Sequence, residues 1–173
     1  MQHEFVNILF EELVMKKTLF LSLLLMFKTL VANAEWISED NKIVTYRSND
    51  NFETTKENIQ QAITNQGLII SGTLHVSEML DRTAKDLGIS KSAYQKAEAF
   101  EFCSAVISHK MIQINPLNLT ACPFTIAFFV KPEEPQVVYI AFRKPQLAGE
   151  SQEITQEINT FLHGIVKEAT GEL

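Results

Sequence analysis

Two apolar segments that lie close together in the chain constrain its fold more than any other feature. Residues 124–130 (FTIAFFV) and 137–142 (VVYIAF) are nearly continuously apolar and rich in β-branched and aromatic residues. That composition is typical of strands in the interior of a sheet. The turn sequence KPEEP at 131–135 connects them, and so short a connection predicts an antiparallel hairpin. We therefore expect a sheet built around this hairpin.

Further strands and helices are predicted on both sides of the hairpin. Strand patterns occur at residues 43–47, 68–76 and 96–102, and helical patterns at 51–66, 77–88 and 103–114. The strongest helical signal is a C-terminal apolar stripe made of Ile154, Ile158, Phe161, Leu162, Ile165, Val166 and Ala169. The order β-α-β-α-β-α-β-β-α predicts a single compact α+β domain with helices packed on a mostly antiparallel sheet.

Capping residues indicate where the predicted helices begin. Asp50, followed by Glu53, has the spacing of a capping box, and Ser77 suits the cap of the second helix. The third helix is expected to begin at Cys103 and to stop at the Asn-Pro dipeptide 115–116, because the residue before a proline disfavours helical conformation. Cys103 would then lie in the first helical turn.

The N-terminal region has the organisation of a secretory signal peptide. Residues 15–34 combine two lysines, an apolar run at 19–27 and an Ala-Asn-Ala site, which predicts cleavage before Glu35. The run is too short for a spanning helix, although an uncleaved anchor is an alternative. We interpret residues 1–14 as a leader upstream of a true start at Met15; a genuine amphipathic extension is the alternative. Residues 35–41 are predicted to be a flexible lead, and 42–173 the domain.

Export and charge together restrict the candidate partners. The signal looks bacterial and predicts a periplasmic protein, without distinguishing periplasm from full secretion. Residues 1–34 contain three Lys and three Glu, so the mature chain keeps 12 of 15 basic and 18 of 21 acidic residues and a net charge of −6. It has no basic stripe, which argues against nucleic acid and against an anionic membrane surface after signal cleavage. The remaining candidates are a small ligand, a protein partner, or a homodimer formed through an exposed sheet face.

Four stretches of the chain resemble the domain-of-unknown-function family 302. They are GLIISGTLHVSEMLDR (67–82), FCSAVISHKM (102–111), the Cys-Pro-Phe sequence at 122–124 and VYIAFRKP (138–145). The resemblance extends from about residue 51 to 145 and includes the last helix. It implies a small α+β domain, often found in exported bacterial proteins. It implies no established reaction, so no catalytic residue is assigned from it.

Cys103 and Cys122 are candidates for a disulfide. A helix over 103–114 is about 16 Å long, and an extended return segment spans about 26 Å, so the chain is able to bring the two residues together. An exported protein with two cysteines favours a bond between them. The alternative is thiol–disulfide chemistry with Cys103 as the attacking thiolate and Cys122 as its resolving partner, although the chain has no Cys-x-x-Cys.

A soft-metal site for copper is the other candidate chemistry. Cys103 and Met111 share a face of the predicted helix, and His75 is able to approach from a strand end. His109 lies about 240° around the helix from Cys103 and does not fit. No cofactor or metal is predicted, and glycine-rich phosphate loops, Gly-x-Ser-x-Gly and His-Glu-x-x-His motifs are absent from the sequence. The interpretation is an exported domain that binds a small ligand or protein partner and catalyses no reaction.

Overall fold

Six antiparallel strands form one sheet in the computed structural model, which describes residues 36–39 and 42–172. The spatial order of the strands is β1-β2-β6-β5-β4-β3. The elements along the chain are β1 (Trp36–Glu39), β2 (Ile43–Ser48), α1 (Phe52–Asn65), β3 (Ile70–Leu74), α2 (Val76–Ala84), β4 (Lys96–Phe102), α3 (Ala105–Ile114), a 3₁₀ helix (Pro116–Ala121), β5 (Phe124–Val130), β6 (Val138–Arg143) and α4 (Gln152–Thr170).

The predicted α+β class and the order of elements are confirmed from β2 onward. β5 and β6 pair as an antiparallel hairpin, with Phe128 opposite Ile140. Both strands occupy the middle of the sheet, as their continuous apolar character predicts. Every pair of neighbouring strands is antiparallel. None of the helices in the described part of the chain is long and apolar enough to cross a membrane.

The hydrophobic core lies between one face of the sheet and helices α1, α3 and α4. Alternate residues of β5, including Ile126 and Phe128, are fully buried on this helix-covered face. The C-terminal stripe is confirmed, because Ile158 and Leu162 of α4 are buried within the same cluster. Burial of one such side chain stabilises the fold by roughly 1.5–3 kcal/mol. Six of the seven predicted stripe residues are buried, and Phe161 packs at the margin of the core.

The opposite face of the sheet, called here the open face, carries small side chains in its central strands. Ala99 of β4 pairs with Ala127 of β5, which pairs with Ala141 of β6, which in turn pairs with Thr45 of β2. The α2 helix packs along β4, and the Ser77 hydroxyl bonds to the backbone of β4. Among residues 42–172, no other helix covers this face.

The starts of α1, α2 and α3 and the end of β3 are among the element ends that differ from the predictions. Asn51 caps α1 in place of Asp50, because its Oδ1 accepts a hydrogen bond from Thr54 N at 3.0 Å. The Asp50 backbone is held in the preceding turn by the Ser48 hydroxyl. Ser77 lies inside α2 rather than at its cap, since its hydroxyl is engaged by Ala97 of β4. β3 ends at Leu74, two residues earlier than predicted, because the following helix already begins at Val76.

The segment 35–41, predicted to be a flexible lead, contains β1. Residues 36–39 pair with β2 in antiparallel register and form one edge of the sheet. The four-residue sequence WISE carries no local pattern that predicts a strand. It becomes one because the tertiary fold leaves an edge of β2 available for pairing. The predictions for 1–14 and 15–34 lie outside the described residues.

Candidate functional site

The two cysteines lie at the same end of the sheet. Cys103 follows the last residue of β4 and Cys122 precedes β5, and the terminal residues Phe102 and Phe124 of these neighbouring strands are paired. The Cα atoms of the two cysteines are 5.9 Å apart and their sulfur atoms are at disulfide distance. The intervening segment, which contains α3 and the 3₁₀ helix, therefore leaves the sheet and returns to it through this pair. A bond here requires no movement of the backbone.

The structure corrects the predicted position of Cys103 relative to the helix. The α3 helix begins at Ala105 and is capped by Ser104, whose hydroxyl accepts a hydrogen bond from Ile107 N. Cys103 thus lies before the cap and outside the first turn. The Ile107 N–H donates to the Ser104 hydroxyl and not to Cys103, so the proposed activation of a Cys103 thiolate within the first helical turn loses its structural basis.

The three residues considered for a soft-metal site do not converge. Met111 is fully buried in the hydrophobic core, whereas His75 is half exposed at the start of α2, with Nδ1 3.7 Å from Glu98 Oε1. Cys103 is five positions after Glu98 along the chain, which corresponds to about 17 Å of strand. Within residues 36–39 and 42–172, no group of three or more His, Cys, Asp or Glu residues is placed to hold a metal ion.

A cavity of about 600 Å³ opens at the sheet end that also carries Cys122. Three small side chains of the open face line it and are called here its floor: Thr125, Ala127 and Ala141. The lining also includes three core residues, Phe124, Phe142 and Leu162. One wall comes from Ala121 and Pro123, on the segment that begins with the 3₁₀ helix. The opposite wall consists of residues 143–146, which begin at Arg143, the last residue of β6. Sequence reasoning missed this cavity because its lining comes from segments that only the sheet brings together.

The cavity is positively charged relative to the rest of the protein. Arg143 and Lys144 line it, and none of the described lining residues is acidic, although the whole chain has a net charge of −6. Arg143 is exposed, and its side chain makes no ion pair or hydrogen bond with any residue in the described ranges. An exposed guanidinium beside apolar lining is suited to hold a carboxylate, sulfonate or phosphate group.

A cluster around Tyr139 covers the other end of the open face. The Tyr139 ring stacks on Phe129 at 5.4 Å between centroids, and the Lys131 ammonium lies 4.0 Å from the ring centre. Glu134 accepts hydrogen bonds from the Tyr139 hydroxyl and from Arg47. The Tyr139 hydrogen bond, together with the charges of Lys131 and Arg47, lowers the pKa of the Glu134 carboxyl. The cluster fixes the hairpin tip to β2, and the cavity remains at the opposite end.

The family model of the domain of unknown function DUF302 matches residues 44–169. The chain belongs to the DUF302 family. An uncharacterized conserved DUF302 protein from Bacillus stearothermophilus has a similar crystal structure, with a TM-score of 0.62 and 15% sequence identity over 75% of this chain and 99% of that chain. At that identity the similarity concerns the fold. No curated protein sequence matches the chain.

The DUF302 match includes the elements that build the cavity. It runs from β2 into α4, and therefore contains both cysteines and Arg143. The cavity is thus part of the DUF302 domain of this chain, apart from Ile43 at its margin. The resemblance predicted from the sequence is confirmed as family membership, and the family description assigns no reaction to it.

Proposed function

We propose that the protein is an exported, periplasmic DUF302 domain that binds a small ligand in the cavity beside Cys122 and catalyses no reaction on it. The observation that carries the proposal is the cavity itself. Its volume of about 600 Å³ lies within the range of roughly 300–1,000 Å³ found for small-molecule sites. Its described lining combines nine apolar residues with five polar or charged ones, and small-molecule sites likewise join apolar surface to polar groups.

The cavity is supported by rigid elements. Ala127 and Ala141 belong to the two central strands of the sheet and pair directly with each other. The wall at Ala121 is anchored nearby, because Cys122 lies at disulfide distance from Cys103. A further tie is Asn118, which is buried and bonds to the backbone of Met111 and Ala148. A cavity held in this way loses little conformational entropy when a ligand binds.

The export part of the proposal rests on the signal sequence at 15–34. An oxidising compartment allows the cysteine pair to form its bond. We expect the intact mass of protein recovered from the periplasm, after expression of the full chain, to correspond to a start at Glu35. A recovered product that retains Met1 would contradict both the cleavage and the interpretation of residues 1–14.

Ligand binding is tested with a neutral apolar fluorophore, N-phenyl-1-naphthylamine. We expect saturable binding to the full-chain product, and loss of binding in Ala141→Trp, which fills the cavity floor. Thr125→Trp fills it from the neighbouring strand and serves if the first variant folds poorly. Ala93→Trp adds the same ring at an exposed position away from the cavity and is the matched control. Equal binding by the cavity variants and the control would refute the proposal.

The thiol–disulfide alternative depends on the same cysteine pair. Both residues are partly exposed, so a small thiol is able to reach the pair. A reduction potential below about −300 mV would mark a structural bond, whereas a value near those of redox enzymes would favour the alternative. The measurement is equilibration of the purified protein with glutathione and dithiol buffers, followed by alkylation and weighing.

A further inference from the structure

We infer that the occupant of the cavity is an amphiphile with an apolar body and one anionic group, and that Arg143 holds the anionic group. This inference rests on the proposed ligand-binding function and adds the chemical class of the ligand. It depends on two independent features of the lining, the sign of its charge and the size of the side chains in its floor. Each feature specifies a different part of the ligand.

The charge of the lining specifies the anionic group. In a chain with 21 acidic and 15 basic residues, a surface depression with two basic and no acidic residues among its described lining residues is unlike the average surface. Arg143 presents a guanidinium at this depression without a carboxylate partner in residues 36–39 and 42–172. A guanidinium donates two parallel hydrogen bonds to a carboxylate, sulfonate or phosphate. A cationic ligand would instead be repelled by Arg143.

The floor specifies the apolar body. Ala127 and Ala141 project small side chains from the central strands, and this leaves room that larger residues would fill. Ile43 also lines the cavity and is 44% exposed. A ligand with a hydrocarbon chain or ring would remove this apolar surface from water, with a free energy roughly proportional to the area covered. An inorganic anion would leave the floor uncovered and gain nothing from it.

The size of the cavity favours a small molecule over a protein chain. A stable protein interface buries roughly 800 Å² on each partner, whereas the two walls of the cavity confine its floor to parts of β5 and β6. The net charge of −6 disfavours a nucleic acid, which would meet repulsion from most of the surface. An amphiphilic monoanion satisfies both features of the lining and fits the volume.

The test compares three simple probes by isothermal titration calorimetry on the full-chain product. Octanoate has both the anion and the chain, 1-octanol has the chain alone, and acetate has the anion alone. We expect octanoate to bind at least about tenfold more tightly than either other probe, because it alone satisfies the guanidinium and the floor. The octanoate affinity should also fall with added salt, since the charge pair is near solvent.

Two matched variants separate Arg143 from a general effect of charge. Arg143→Gln is expected to weaken octanoate binding about tenfold and to leave 1-octanol binding within about twofold. Lys85→Gln removes one positive charge at an exposed position outside the cavity lining and should change neither. Circular dichroism of each variant verifies that it is folded.

The outcomes that overturn the inference differ from those that overturn the proposed function. Equal affinities for octanoate and 1-octanol, equal affinities for octanoate and acetate, or equal effects of Arg143→Gln and Lys85→Gln would each refute the anionic amphiphile. If N-phenyl-1-naphthylamine still binds and Ala141→Trp abolishes that binding, the proposed function stands in all three cases. Absence of binding by octanoate and by the fluorophore would refute both.

Discussion

The link between Cys103 and Cys122 offers the most quantitative prediction of this structure. The two residues are separated by 19 positions, so a bond between them closes a loop of about 20 residues. On the chain-entropy account, closing such a loop stabilises the fold by about 3 kcal/mol, through the unfolded chain that it restricts. The paired ends of β4 and β5 already lie side by side, so the bond forms without any movement of the backbone.

The perturbation is the double substitution Cys103→Ala with Cys122→Ala. We expect it to lower the free energy of unfolding by about 3 kcal/mol, out of a total of roughly 5–15 kcal/mol for a domain of this size. The melting temperature should fall by roughly 10 °C. Guanidinium unfolding followed by circular dichroism measures the first quantity, and calorimetry measures the second. Wild-type protein treated with a dithiol should show the same loss, and the double variant should not respond to it.

A thiol count precedes the unfolding experiment. The protein is denatured and alkylated with and without prior reduction, and both samples are weighed. We expect both cysteines to be labelled only after reduction. Labelling without reduction would refute the disulfide itself. A bonded pair whose removal changes the free energy of unfolding by less than about 1 kcal/mol would refute the loop-closure argument instead.

Three further predictions concern the core, a helix cap and the response to pH. Leu162→Ala should lower the free energy of unfolding, measured by urea titration, by about 2–5 kcal/mol, because the side chain is 1% exposed. The control Val106→Ala removes a side chain that is 66% exposed and should change the free energy of unfolding by less than about 0.5 kcal/mol. Asn51→Ala should lower the free energy of unfolding by about 1 kcal/mol, which is more than the loss expected for Asp50→Ala. A larger loss in Asp50→Ala would show that Asp50 is the cap. The lowered pKa of Glu134 means that its stabilising contribution is present above the ordinary value of 4.5 and is lost as pH falls through the folded-state value. Urea titrations between pH 7 and 3 should therefore show a shallower decline in Glu134→Gln than in the wild type, and identical slopes would contradict this assignment.

Most of the fold follows from patterns within single segments. The bounds of β5 agree with its apolar run, and the C-terminal stripe marks the buried side of α4. These patterns succeed because a strand in the sheet interior and an amphipathic helix each display their burial in their own sequence. The errors occur at element ends, where two residues compete for one role. Asp50 and Asn51 both suit a cap, and the hydrogen bond between Ser48 and Asp50 decides between them.

The candidate site was predicted only in part. The sequence indicated the pairing of Cys103 with Cys122, because the segment between them is long enough to bring them together and an exported protein favours disulfides. It gave no indication of the cavity, because alanines in a strand have no distinctive pattern and their alignment across β4, β5 and β6 depends on register. The turn glutamate Glu134 also acquires partners, Tyr139 and Arg47, that are distant along the chain.

The sequence alone determines the class of the domain, the central hairpin and the buried side of the last helix, because local periodicity records which side chains leave water. The tertiary structure decides which residues of neighbouring strands lie opposite each other. Strand pairing aligns the small residues of the open face, brings Arg143 to the same sheet end as Cys122, and adds residues 36–39 to the sheet edge. These arrangements depend on contacts between residues that are far apart in the chain, and no single segment carries a record of them.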